Sequence, residues 1–280
     1  MRLATLRTGT GTAAARLADG TVEVIDYPDV GALLATGEDW RRHAEAEPVA
    51  TMPLEETEFA TLVPRPEKIL CVGLNYKDHA VEANAQIPEF PMIFGKYWRS
   101  LTGPFDEIPI PANSDKVDWE VELGVVIGRT AYNVDPLAAR DVIAGYTIMN
   151  DVSMRDWQKR TSQITAGKIF EASTPVGPFL VTPEEVPSDL ALELSCSLDD
   201  EVVQRGTTAD MIFSPFDLVS YLSEIITLVP GDLIATGTPA GVGLAKNPPQ
   251  FIEDGSILRS AIEGLGEQRN LFRAPRPSAV

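Results

Sequence analysis

The stretch Asp118-Trp119-Glu120-Val121-Glu122-Leu123-Gly124-Val125-Val126-Ile127-Gly128 sets two carboxylates at the entrance to an apolar run. Side chains alternate across a strand, so Glu120 and Glu122 leave one face, and Trp119, Val121 and Leu123 the other. Two carboxylates on one face, leading into a buried run, repel and lose solvation unless something positive sits between them. A second apolar run, Val142–Met149, ends at Asn150-Asp151 and delivers a third carboxylate from a strand terminus. Glu120, Glu122 and Asp151, with no Cys or His nearby, make a hard-oxygen site suited to Mg²⁺, Mn²⁺ or Ca²⁺ rather than zinc. Spacing alone leaves a second arrangement open, in which Glu120 and Glu122 are the solvent face of a half-exposed strand.

The elements that must position these groups are mostly strands. Apolar β-type runs recur at Ile69–Val72, Val121–Ile127, Val142–Met149, Phe179–Val181, Leu192–Cys196 and Leu233–Thr236. Turn signals such as Asn113-Ser114, Pro230-Gly231-Asp232 and Asp254-Gly255 separate them. Helices are fewer. Ser214-Pro215 offers an N-cap and a first-turn proline, and Phe216–Thr227 then shows helical apolar spacing until Pro230-Gly231. Asp135-Pro136 starts a shorter helix in the same way.

Before Pro64-Arg65-Pro66, the N-terminal segment reads as two short strands joined by an Asp19-Gly20 hairpin turn, then a Glu-rich helical patch ending near Glu58. The expected fold is therefore α+β and β-rich, with a small N-terminal α/β unit over residues 1–62 and a main domain over residues 63–280.

Composition narrows the chemistry. The chain has 280 residues, enough to bury a sizeable core without a disulfide or a structural metal. Its 41 acidic and 23 basic residues give a net charge of −18, which disfavours phosphate backbones and anionic lipid. Nucleic-acid and membrane roles are therefore not expected, and no apolar run approaches the roughly 20 residues of a membrane span. The cysteines, Cys71 and Cys196, are far apart, which excludes a disulfide framework and a thiolate zinc site and fits a cytoplasmic protein. With only His43 and His79, a polyhistidine metal centre cannot be built.

Other motifs fail on context. Gly9-Thr10-Gly11-Thr12-Ala13-Ala14 matches a loose dinucleotide pattern, but Asp19-Gly20 breaks the helix that should follow. Gly167-Lys168 lacks the upstream glycine and the Ser/Thr of a phosphate loop. There is no GxSxG elbow. A Cys71–His79 nucleophile pair would need a cysteine that sits inside an apolar strand.

Five blocks, in order, resemble the signatures of the fumarylacetoacetate hydrolase family. They are Val72–His79 with Glu82 following, Asp118–Gly128, Gly145–Asp156, Gly167–Pro178 and Leu233–Gly243, spread over about residues 62–272. The resemblance implies a rolled mixed β-sheet core, a homodimer, and a divalent metal, Mg²⁺ or Mn²⁺, held by Glu120, Glu122 and Asp151. Ca²⁺ would also suit that donor set. It further implies a His79–Glu82 pair that activates water, and Lys168 as a donor to developing negative charge. Thr238, beside Gly237, would hold the substrate carboxylate through its hydroxyl and neighbouring N–H groups. Lys96, Arg99, Arg155 and Gln158 are expected as further substrate contacts, cations among them helping an acidic protein admit an anion.

The chain departs from the family pattern at Tyr97 and Trp98, and at Ile169, Glu171 and Ala172 around the lysine motif. If Tyr97 and Trp98 face the pocket, they favour a bulky distal group; the alternative is core packing. The expected activity is hydrolytic C–C cleavage of an acylpyruvate-type 1,3-diketo acid through a metal-bound enolate. The same enolate would serve isomerisation of an unsaturated keto-diacid or decarboxylation of an oxaloacetate-type acid. A non-catalytic protein that binds metal and dicarboxylate is the reading from a different class.

Overall fold

A computed structural model of the chain describes residues 1–275. A large mixed sheet runs through the molecule, and two of its central strands carry the carboxylates. Val121–Ile127 is buried along its whole length, because apolar residues line one face and the close packing of Gly124 against Thr147 and Met149 seals the other. It pairs antiparallel with Ile143–Asn150, in a register that sets Val121 opposite Asn150 and Glu122 opposite Met149. On its other edge it pairs antiparallel with Leu233–Ala235, which runs parallel to Ile69–Gly73. The loops that leave these strand ends converge on one rim.

A five-stranded sheet, including Glu193–Leu198, Glu201–Thr207, Ile257–Ile262 and Gly266–Arg273, covers one face of that sheet. Val121, Leu123 and Val125 meet Leu194, Cys196, Leu258 and Ile262 in the core between them. Each such aliphatic side chain contributes about 1.5–3 kcal/mol by leaving water. Leu123→Ala, which would leave a cavity beside the site, should cost ~2–5 kcal/mol.

The N-terminal segment opens with three strands, Arg2–Thr8, Gly11–Ala18 and Thr21–Val24. The sequence reading expected two. The short, Ala-rich Gly11–Ala18 run lacks the β-branched and aromatic residues that announce a strand. Gly9-Thr10 is the turn into it, so the glycine pattern there is a hairpin. Arg2–Thr8 pairs with Thr174–Val181, which places these strands in the same sheet as the carboxylates. The Glu-rich patch resolves into two short helices, Val30–Leu34 and Trp40–Ala44, and the strand Ala50–Pro53.

The helix expected after Ser214 spans Pro215–Ile225. Ser214 Oγ accepts the Asp217 N–H at 3.2 Å, and Asp217 Oδ2 accepts the Ser214 N–H at 2.9 Å. That reciprocal cap is why the sequence signal there is sharp. Asp135 caps Pro136–Val142 through its side chain. Among the described residues no helix is long and apolar enough to cross a membrane.

Candidate active site

Glu120, Glu122 and Asp151 are buried, and one carboxylate oxygen from each lies within 4.8 Å of the others. Glu122 belongs to Val121–Ile127, and Glu120 precedes that strand, its N–H donating to Asn150 Oδ1 at 3.0 Å. Asp151 follows the neighbouring strand and is fixed by its N–H donating to Glu120 O at 2.9 Å. The arrangement is the buried triad, not the solvent face.

Cations hold two of the three carboxylates. Lys168 Nζ donates to Glu120 Oε2 at 2.6 Å and to Asp151 Oδ2 at 2.8 Å. Lys96 Nζ donates to Asp151 Oδ1 at 2.5 Å and also to the carbonyl of Lys168. Arg155 Nη1 lies 2.7 Å from Glu120 Oε1, and its Nε donates to Asp118 Oδ2 at 2.7 Å. Burial alone would raise Glu120, but Lys168 and Arg155 outweigh it and bring its pKa from 4.5 down to about 2. Burial likewise works against the charge of Lys168, and Asp151 and Glu120 reverse it, so the ammonium is held upward.

Glu122 differs from its neighbours. It accepts the Gly237 N–H at 2.8 Å on Oε2 and makes no ion pair among the described residues. Burial, followed by Asp151 and Glu120, pushes its carboxyl well above the ordinary carboxylate range. Around the site three cations face four carboxyl groups, Asp118 included, and Glu122 is the one left without a cation. An all-oxygen donor set with one uncompensated carboxylate fits a hard divalent cation. Glu120, Glu122 and Asp151 are the residues that would hold it.

Across the pocket stands the helix Lys77–Glu82. Its spacing puts His79 and Glu82 on one face, and His79 Nδ1 lies 2.9 Å from Glu82 Oε2. A carboxylate accepts only, so the proton of a neutral imidazole sits on Nδ1 and leaves Nε2 as the basic nitrogen. Glu82 Oε1 accepts the Gly241 N–H at 2.8 Å, tying the helix to the Thr236–Gly243 loop. That loop makes two close passes that need glycine: Gly237, at φ +99°, runs against Asn75, and Gly241, at φ +104°, against the backbone of Val203 and Gln204.

These groups line a cavity of about 600 Å³. His79, Glu82, Glu120, Glu122, Lys168 and Thr238 form its polar side. Leu74, Met92, Phe94, Ile164, Val242 and Leu244 form an apolar side. Arg155 and Gln158 also line it, joined by a 2.9 Å hydrogen bond from Nη1 to Gln158 Oε1.

Three expected substrate contacts stand elsewhere. Lys96 is buried against Asp151 and is not on the cavity wall. Gly237 directs its N–H at Glu122, again off the wall. Arg99 is 63% exposed and pairs with Glu171 at 2.8 Å on the surface, because Trp98–Ser100 turns the chain outward. Tyr97 and Trp98 are exposed too, so they neither line the cavity nor pack in the core.

Other residues of the site were not singled out from sequence. Asp118 belongs to the Asp118–Gly128 motif, where its residue type alone assigns it no role. Asn75 is buried, donating to Phe213 O and Thr236 O and accepting the Phe213 N–H, which fixes the start of the His79 helix against the loop. Gln204 comes from a strand of the second sheet and reaches Val121, Thr238 and Pro239. For Asp118 and Asn150, adjacency to the carboxylates was a usable signal; for Gln204 there was none.

Fold and site together define an enzyme of the fumarylacetoacetate hydrolase class. The chain belongs to that family: the Fumarylacetoacetate (FAA) hydrolase C-terminal domain matches residues 68–273. A protein of Burkholderia multivorans named as a hydrolase is 48% identical over 231 residues, covering 81% of this chain and 82% of its own length. The human mitochondrial oxaloacetate tautomerase FAHD2A is 43% identical over 227 residues, covering 80% of this chain and 72% of its own. Among solved structures, a Mycobacterium smegmatis protein titled HpcE matches with a TM-score of 0.90 at 35% identity, over 99% of this chain and 100% of that one.

Proposed function

We propose that this enzyme hydrolyses a carbon–carbon bond in an acylpyruvate-type 1,3-diketo acid, with Mg²⁺ or Mn²⁺ at Glu120, Glu122 and Asp151. The observation that carries the reading is the His79–Glu82 pair, set on the wall of the same cavity that Glu120, Glu122 and Lys168 line. A bound metal supplies a Lewis acid for the 2-keto acid end of the substrate.

The chain's own groups account for the remaining steps. Glu82 keeps the proton on Nδ1, and Nε2 of His79 takes a proton from water as its oxygen adds to the distal carbonyl. The bond between that carbonyl carbon and the central methylene breaks, and its electron pair stays on the pyruvate fragment. Lys168 has three N–H donors and places two on Glu120 and Asp151, which leaves one for developing oxyanion charge. His79 then returns the proton to carbon, giving pyruvate and a carboxylic acid. The apolar side formed by Leu74, Met92, Phe94, Val242 and Leu244 suits the distal acyl group better than a second carboxylate.

The test follows ultraviolet loss of an acylpyruvate with Mg²⁺ or Mn²⁺ and quantifies both products. Equimolar pyruvate and carboxylic acid, lost in His79→Ala, is the expected result. Absorbance loss with neither product would sink the hydrolase reading. A second reading, oxaloacetate keto–enol tautomerisation, is favoured by the similarity to the human tautomerase. It needs only proton removal and return at carbon. Accelerated decay of enol-oxaloacetate without release of pyruvate would select it.

A further inference from the structure

Hydrogen bonds around Thr238 fix the direction of its hydroxyl. Gln204 is buried on Glu201–Thr207, and its Oε1 accepts the Val121 N–H at 3.0 Å. A backbone N–H only donates, so that atom is the amide oxygen and the other is Nε2. Nε2 donates to Pro239 O at 2.9 Å, which can only accept, and that contact fixes the same orientation. The second N–H of Nε2 donates to Thr238 Oγ1 at 2.8 Å. Thr238 Oγ1 in turn lies 2.8 Å from Val121 O, another pure acceptor, so the hydroxyl proton is committed there. One lone pair is all that Thr238 Oγ1 has left.

Thr238 lines the cavity. We propose that Gln204 is a positioning residue that makes Thr238 a hydrogen-bond acceptor toward the cavity, so that the hydroxyl receives a donor and does not give a proton to the substrate carboxylate. Two donors share this chemistry: the attacking water and an enolic O–H of the substrate. This assignment, which replaces the donor role expected of Thr238, rests on the cavity being the substrate site. Gly241 and Pro239 pack directly on the strand that carries Gln204, so the loop is seated on its positioning residue.

Oxalate tests the direction without turnover. At neutral pH it accepts hydrogen bonds and cannot donate them. Calorimetric titration of oxalate into Mn²⁺-loaded wild type and Thr238→Val should give affinities within about threefold, because the hydroxyl has no proton to offer. A hydrogen bond to a charged acceptor is worth enough that its loss would weaken binding ~tenfold or more, and that result overturns the proposal.

Turnover of the diketo acid then separates the two donors. If the partner is water, Thr238→Val lowers kcat with KM little changed, and if it is the enol, KM rises. No change in either parameter overturns the proposal. Gln204→Met should alter the same parameter as Thr238→Val, and the double variant should be no worse than Thr238→Val alone. Losses that multiply would make Gln204 merely structural. Should Gln204→Met not fold, Gln204→Leu takes its place, which likewise has no donor. If wild type fails to turn over the diketo acid, the hydrolase reading falls, and the oxalate comparison still decides the direction of Thr238.

Discussion

Asp118 receives the Nε–H of Arg155 at 2.7 Å and, with the same carboxylate, the N–H groups of Trp119 at 2.8 Å, Gly243 at 2.7 Å and Leu244 at 2.9 Å. Arg155 is thereby aimed at Glu120, and the loop carrying Val242 and Leu244 is fastened to the strand that leads into the site. Both sides of the cavity depend on one buried carboxylate. Asp118→Asn leaves the guanidinium short of its partner, and we expect a loss of about 3–5 kcal/mol in unfolding free energy. Urea titration followed by tryptophan fluorescence measures it; a loss below about 1 kcal/mol would refute the assignment.

His79→Ala removes the base and leaves the carboxylates untouched. The expected effect is a drop in kcat of about 10²–10⁴, with Mn²⁺ affinity at the wild-type value. Glu82→Gln should cost less, because the amide oxygen still accepts the imidazole N–H while the negative charge is gone. Equal activity of His79→Ala and wild type would remove His79 from the chemistry.

Metal binding should release a proton. Glu122 is raised by burial and then by Asp151 and Glu120, so in the metal-free protein it stays protonated above the ordinary carboxylate range and the incoming cation must displace that proton. Apparent affinity therefore climbs with pH until Glu122 ionises unaided. Calorimetry in two buffers of different ionisation enthalpy counts the protons, and Glu122→Gln should abolish both the release and tight binding.

Stability follows the same two groups with opposite signs. Glu120, lowered to about 2, stabilises the fold above its ordinary 4.5 and loses that contribution as pH falls toward 2. Glu122, raised, stabilises the metal-free fold in its protonated form and loses that contribution as pH rises through its own titration. Added Mg²⁺ should flatten the upper side of the profile. Identical urea midpoints across that range, with and without Mg²⁺, would contradict it.

Arg99→Ala and Tyr97→Ala should be silent. Arg99 pairs with Glu171 in solvent, where such a bridge is worth at most about 1 kcal/mol, and Tyr97 is off the cavity wall. Steady-state kcat/KM should stay within about twofold of wild type; a larger change would bring this surface into the substrate's path.

The legible parts of the site were those where local pattern and tertiary demand coincide. Val121–Ile127 is legible because a strand buried on both faces is apolar at every position but the functional Glu122, and the Ser214–Asp217 cap announces its helix by residue type alone. The carboxylate triad was legible only in part: spacing left Glu120 and Glu122 open to a solvent-facing strand, and the family resemblance decided between the two arrangements. Lys96 and Arg99 illustrate the limit: three residues apart, one is buried against Asp151 and the other faces solvent, a difference set by the Trp98–Ser100 turn. Gln204 was invisible, since its value lies in meeting Val121 and Thr238 from another sheet.

Part of the cavity's apolar lining comes from backbone outside the strands. The carboxylates sit in or at the ends of strands in the large sheet, and Met92 and Phe94 lie on another of its strands, whereas Leu74, Ile164, Val242 and Leu244 lie on segments outside those strands. Inherited changes in those segments can alter which acyl group is admitted without disturbing the core. Such a scaffold can pass one reaction step down a lineage while its descendants diverge in diet.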